Sequence, residues 1–156
     1  MDREGESPLH LVAGYSGKLE MVRYLLENGG ANVNLKSKGW KRKTHGTPLQ
    51  QAVIYARADI VEYLLSQKNC DARARDGAGQ TPLHEAVIEG LIAGNRSEKE
   101  RILRLLIPRS KVNDNHKGKI YTPFQRACSD GSLWAVKILL EQKDKLKWCE
   151  NMEDGE

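Results

Sequence analysis

The residues of this chain that could do covalent or metal chemistry are few and far apart. Its four histidines stand at 10, 45, 84 and 116, and its three cysteines at 70, 128 and 149. No Cys-x-x-Cys, His-Glu-x-x-His or Gly-x4-Gly-Lys spacing gathers ligands for a metal or amides for a phosphate. The carboxylates are scattered, and no spacing forces two of them together for acid–base work. An odd number of cysteines without close pairing points to thiols in a reducing compartment. One stretch is chemically dense. In KSKGWKRK, residues 36–43, Lys36, Lys38, Lys41, Arg42 and Lys43 surround Trp40. Clustered cations steer an acidic partner towards the surface, and an indole among them can anchor it on contact. The same set also suits a small or polymeric anion, such as an oligonucleotide or a phosphoinositide, stacked on Trp40. The chemistry written here is binding. No catalytic residue, cofactor or metal is expected.

The bulk numbers describe what must position these residues. At 156 residues, 39% hydrophobic and 29% charged, the chain fits one body that buries on the order of 70% of its unfolded surface. No apolar run approaches the roughly 18 residues of a membrane span, and no signal peptide opens the sequence. The net charge of +4 is modest but uneven, with the basic run at 36–43 and an acidic end at Glu150, Glu153, Asp154 and Glu156.

The chain writes one helix start four times: SPLHLVA at 7–13, TPLQQAV at 47–53, TPLHEAV at 81–87 and TPFQRAC at 122–128. Ser or Thr caps a helix N-terminus, proline suits the first helical position, and apolar residues then recur at helical spacing. The prolines, Pro8, Pro48, Pro82 and Pro123, are separated by 40, 34 and 41 residues. Each start is followed by a second apolar helix: LEMVRYLLE at 19–27, DIVEYLLS at 59–66, ERILRLLI at 100–107 and LWAVKILLE at 133–141, with Leu64, Leu65, Leu105 and Leu106 expected to be internal. The unit is helix, tight turn, helix, long loop. Repeat one carries one extra residue in LVAGYSG and a longer excess in NLKSKGWKRKTHG. Repeat three carries its excess between the helices, in EGLIAGNRSEKE, where Ser97 and Glu100 have the spacing of a capping box that restarts the helix. Pro108 should end that helix early.

The period near 33, the T-P-L-H-x-A start, the Leu-Leu second helix and the junction ARDGAGQTPLH at 74–84 resemble the ankyrin repeat. The resemblance covers about 7–141 and implies an all-α solenoid of four helix-turn-helix units with β-hairpin-like finger loops at 28–46, 67–80 and 108–121. It implies one domain over 1–149, with repeats at about 7–46, 47–80, 81–121 and 122–149, and an acidic tail at 150–156 expected to be disordered. By the same resemblance, His10 and His84 hold the turn by hydrogen bonding. Gln50 and Gln125 replace histidine there and Lys68 replaces the usual glycine, so the neighbouring hairpins are expected to be altered.

A stacked repeat makes a continuous concave surface lined at one edge by its loops. The resemblance implies a protein-interaction module and sends Gln51, Tyr55, Glu85, Glu89, Arg126 and Asp130 into the groove. The expected partner is another protein with an acidic segment. Nucleic acid is the less favoured alternative, membrane insertion is not expected, and the chain is expected to be a monomer. The compartment expected is the cytoplasm, with nuclear access through the embedded run GWKRK. At the ends, Trp134 and Trp148 are expected to cover apolar surface, and MDREGE at the N-terminus is too short to form a cap.

Overall fold

Each repeated start becomes a helix for the same local reason. Ser7, Thr47, Thr81 and Thr122 have extended backbone, and the proline after each takes the first helical position. The fourth residue of the motif then folds back onto the cap. In repeat two, Gln50 Oε1 accepts from the Thr47 N–H at 3.0 Å; in repeat four, Gln125 Oε1 accepts from the Thr122 N–H at 2.9 Å. A reciprocal pair of this kind satisfies two of the amides that a helix start leaves without partners.

The computed structural model describes residues 5–37, 46–89, 96–112, 114–115 and 121–141. Among them are eight α-helices and no strand. Helix α1 (Pro8–Leu11) runs into a π-helical turn, Val12–Ser16, and α2 (Leu19–Glu27) completes repeat one. Repeat two has α3 (Pro48–Ile54) and α4 (Ala58–Ser66), and repeat three has α5 (Pro82–Ala86) and α6 (Arg96–Leu106). Repeat four has α7 (Pro123–Ser129) and α8 (Leu133–Glu141). First helices pack on first helices and second helices on second helices along the stack. Between the two layers Leu9, Leu49, Leu83, Ile60, Leu64, Ile102, Leu103, Leu106 and Leu139 are almost wholly buried. Each such side chain contributes roughly 1.5–3 kcal/mol by leaving water. None of the described helices is long and apolar enough to cross a membrane.

The irregularities of spacing have local solutions. The extra residue of repeat one is absorbed by the π turn, which closes with the Gly17 N–H on Val12 O at 2.9 Å. A single π turn is the usual way for a helix to take in one residue without losing its ends. Gly17 and Gly131 then reverse the chain at left-handed φ of 63° and 69°, and Ala56 does so at 53° in repeat two. In repeat three Ser97 lies within α6, so it is not the cap that restarts the helix. Pro108 does end α6, which tightens into a 3-10 turn over Ile107–Arg109.

Burial also moves one register. The buried pair of repeat three is Leu106 and Ile107, with Leu105 only partly covered, so Leu64 and Leu65 correspond to Leu106 and Ile107 and not to Leu105 and Leu106. The sequence ERILRLLI offers overlapping apolar pairs, and packing selects the later one.

The fourth motif residue does more than cap. His10 Nε2 reaches Gly46 O at 3.1 Å, Gln50 Nε2 donates to Gln80 O at 3.0 Å, and His84 Nε2 reaches Tyr121 O at 3.1 Å. Each carbonyl belongs to the residue just ahead of the next repeat's cap. One side chain therefore ties its own turn to the entry of the following repeat. Gln50 does this as histidine does, so the substitution leaves that junction unaltered. Lys68 lies in a turn without positive φ, so that position has no need of glycine here.

The fingers are joined to one another. Asn34 of the first accepts from the Asp71 N–H at 2.8 Å and donates to Asn69 O, and Arg75 of the second pairs with Asp114 of the third. Glu62–Arg101 and Arg104–Glu141 link successive second helices. Exposed pairs of this kind are individually worth up to about 1 kcal/mol.

Candidate functional site

Counting three and seven residues from each motif proline gives two rows of side chains, one helical turn apart, along the first helices. The first row is Leu11, Gln51, Glu85 and Arg126; the second is Tyr15, Tyr55, Glu89 and Asp130. Residues four apart share one helix face where the helix continues; Glu89 lies beyond the end of α5, so its place in the second row is one of spacing alone. The rows change character along the stack, from uncharged residues, two of them tyrosines, in repeats one and two to charged residues in repeats three and four.

The aromatic half is fixed in place. The Tyr15 and Tyr55 rings meet tilted, with centroids 4.8 Å apart, and Tyr15 remains 50% exposed. A tilted pair sets the positive edge of one ring towards the negative face of the other. Arg57 reaches back to Gly14 O at 3.2 Å and Tyr15 O at 3.4 Å, pinning the π turn that carries Tyr15. Gly14 leaves room for Tyr55, because a Cβ there would come within 2.9 Å of Tyr55 Cδ2. Tyr15 is the site residue that the sequence reading missed. It holds the same place as Tyr55 relative to its proline, so counting from the prolines is the signal that would have found it.

The other expected groove residues fall into three groups. Gln51 is only 3% exposed and donates through Nε2 to Glu6 Oε1 at 3.1 Å. The expectation that it faces the groove is corrected: it is scaffold. Glu6 is itself buried, and residues 1–4 of MDREGE lie outside the described residues. Glu85, half-buried, lines a small cleft with Ile54, Ile88 and Lys99. Glu89 is a hub: it pairs with Arg96 at 2.6 Å, its carbonyl accepts from Lys99 Nζ at 3.1 Å, and it accepts from the indole N–H of Trp134. Trp134 is buried there against repeat three, with the Arg96 guanidinium 5.0 Å from its ring centroid. Arg126 and Asp130 pair with each other at 3.0 Å across one helical turn.

Of the basic finger, Lys36 is exposed, and its neighbour Ser37 closes the finger's base by donating to Gly46 O at 3.0 Å. His10 holds the same carbonyl. Lys38, Trp40, Lys41, Arg42 and Lys43 lie outside the described residues, as do His45, His116, Trp148, Cys149 and the tail at 150–156.

His10 and His84 have the structural role expected of them. At His84, Nδ1 accepts from the Thr81 N–H at 3.1 Å, and Nε2 lies 2.9 Å from Asp114 O. An amide can only donate and a carbonyl can only accept, so the ring is the neutral tautomer with its hydrogen on Nε2. Burial holds this imidazole below its ordinary pKa, against the raising effect of Asp114 and the Tyr121 carbonyl. Cys70, also partly buried, is pushed up to about 11, chiefly by burial. That keeps it a thiol rather than a nucleophilic thiolate.

Profiles described as ankyrin repeats in three copies match residues 1–76 and 37–97, and one described as a single ankyrin repeat matches 78–119. Among similar proteins, ankyrin repeat protein nuc-2 of Neurospora crassa is 28% identical over 83% of this chain and 14% of its own length. Rabankyrin-5 of Mus musculus is 38% identical over 51% of this chain and 6% of its own length. NF-kappa-B inhibitor alpha of Sus scrofa is 33% identical over 60% of this chain and 28% of its own length. The chain thus spans less than a third of each of these relatives. The helix pairs stacked in two layers, the turn-holding His10 and His84 and these matches together place the chain in the ankyrin repeat family.

Proposed function

We propose that this chain is a protein-interaction module that recruits or masks a partner. It holds the partner along the inner-helix face, from Tyr15 and Tyr55 at one end to Glu85, Glu89, Arg126 and Asp130 at the other. Ankyrin repeats are in general modules of protein–protein interaction. The observation that supports a site on this face is the tyrosine pair. A half-exposed aromatic held by a second ring, a glycine gap and an arginine offers rigid contact area at little entropic cost, which is what interface anchors supply. One relative is named as an inhibitor, a role that occupying another protein's surface would fulfil. We further assign the finger at 36–43 the task of steering an acidic segment of the partner, in the cytoplasm or nucleus. Lys36 stands exposed at the finger's base in support of that role.

Association kinetics with an isolated partner test the assignment. Reversing Lys41, Arg42 and Lys43 to glutamate should slow association and flatten its salt dependence, whereas Tyr55→Ala should speed dissociation by tenfold or more, corresponding to about 1.4 kcal/mol or more. If neither variant alters the kinetics, the face and the finger are not the site. If the chain instead binds oligonucleotide or phosphoinositide vesicles through the same lysines, the anion reading replaces this one.

A further inference from the structure

The end of α2 carries the groups for a covalent reaction that needs no partner. Where glycine follows asparagine or aspartate, no side chain shields the glycine nitrogen from the acyl carbon before it. Attack on that carbon closes a five-membered succinimide. Among the described residues the step occurs three times, at Asn28–Gly29, Asp76–Gly77 and Asp130–Gly131. The two aspartates are engaged. Asp76 Oδ1 accepts from the Ala78 and Gln80 N–H groups at 2.9 and 2.7 Å, and Asp130 Oδ2 accepts from Arg126 at 3.0 Å. An ionised carboxylate also repels a nucleophile, and an amide does not. The Asn28 side chain is neutral, exposed and without a hydrogen bond among the described residues.

The fold needs the glycines that make this asparagine labile. Helix α2 closes with the Ala31 N–H on Leu25 O at 3.1 Å, and Gly30 stands at a left-handed φ of 58°. A Cβ on Gly29 would come within 2.8 Å of Leu25 O. A helix that reverses in this way selects glycine after its last turn. The same geometry restrains the reaction. The Gly29 N–H is held on Tyr24 O at 3.2 Å, beside the Asn28 N–H at 2.9 Å, so the attacking nitrogen is tied to the helix. Helix ends fray, and each opening of the last turn releases that nitrogen.

We propose that Asn28 is a site of spontaneous deamidation, gated by opening of the last turn of α2. The Gly29 nitrogen loses its proton and bonds to Asn28 Cγ, the Cγ–Nδ2 bond breaks, and ammonia leaves. The proton lost by one nitrogen and the one gained by the other pass through water. Water then opens the succinimide at either carbonyl, leaving isoaspartate or aspartate at position 28. Isoaspartate adds a methylene to the main chain, so the amides of Gly29 and Ala31 no longer stand in register with Tyr24 O and Leu25 O. Either product sets a carboxylate at a helix C-terminus, where the macrodipole opposes it. It also stands beside Glu27, which receives the Tyr63 hydroxyl at 3.0 Å. Deamidation therefore loosens α2 from α4 at the edge where Arg23 covers the Tyr63 ring.

Peptide mapping by mass spectrometry, on the full chain incubated at neutral and mildly alkaline pH, tests it. In the folded protein Asn28 should convert ahead of Asn32, Asn34 and Asn69, whose following residues carry side chains. Both isoaspartate and aspartate should form, and the rate should rise with pH. It should be slower by roughly tenfold or more than in the chain unfolded in guanidinium, because the nitrogen is free only in the opened turn. Asn28→Gln should remove the reaction, since its longer side chain would have to close a six-membered ring. The purified isoaspartate protein should melt below the parent, with Asn28→Asp, which has the charge without the extra methylene, between the two. Folded protein in which Asn28 stays intact while the unfolded chain converts overturns the proposal. So does a folded rate equal to the unfolded one, which would mean that the Gly29 amide is not held. An isoaspartate protein that melts with the parent overturns the loosening of α2.

Discussion

At the scale of the residue, the fourth motif position shows how little of a histidine's chemistry this scaffold uses. His10 and His84 serve as neutral rings with an acceptor on one side and a donor on the other, and Gln50 does the same with an amide. A titrating ring carries a liability that glutamine does not. Burial holds the folded His84 below its ordinary pKa, so as pH falls the unfolded chain takes up a proton first. Its contribution is therefore intact above about pH 6.5 and declines as pH drops below that, until the folded ring protonates as well. Protonation also sets a hydrogen on Nδ1 against the Thr81 N–H, with Arg75 adding its own repulsion. His84→Gln should flatten the dependence of the urea midpoint on pH between neutrality and about pH 5. His84→Ala should lower stability at neutral pH by about 1–3 kcal/mol, through the Thr81 amide and the Asp114 and Tyr121 carbonyls it leaves without their partner. A pH profile unchanged in His84→Gln would show that other groups carry the dependence.

At the scale of the element, much was legible in the sequence. The four Thr- or Ser-Pro starts, the second helices and the Pro108 stop are local signals, and local hydrogen bonding decides them. Two features depended on tertiary packing and stayed hidden. The π turn of repeat one looks in sequence like a plain insertion, yet it is what brings Tyr15 onto Tyr55. The buried pair of repeat three is set by contact with α4 and α8, so the sequence could not choose between Leu105–Leu106 and Leu106–Ile107. Leu106→Ala should cost about 2–5 kcal/mol in thermal or urea unfolding, as a buried leucine does, and Leu105→Ala should cost distinctly less. Equal losses at both positions would restore the earlier register. Gly14→Ala should displace the Tyr55 ring, since a Cβ there has no space. A lost Tyr15–Tyr55 contact by nuclear Overhauser effects, with the helices retained by circular dichroism, is the expected sign.

At the scale of the whole molecule, the stack converts a short motif into one long surface. Tyr55, Glu85, Glu89, Arg126 and Asp130 were expected on that surface from the motif spacing, and their role there is the proposal made above. What the residues do with one another was not legible in the sequence. Gln51 turns to Glu6, and Glu89 spends its carboxylate on Arg96 and Trp134, because partners distant in sequence compete for the same groups. The measurement closest to the central claim is site-specific photocrosslinking to an isolated partner. A photoreactive residue would replace, one at a time, Tyr15, Tyr55, Glu85 and Arg126 on the inner face and Glu62, Arg101 and Lys137 on the second helices. Crosslinks confined to the inner-face positions are the predicted result. Crosslinks confined to the second helices would contradict the account and move the binding surface to the opposite side of the stack.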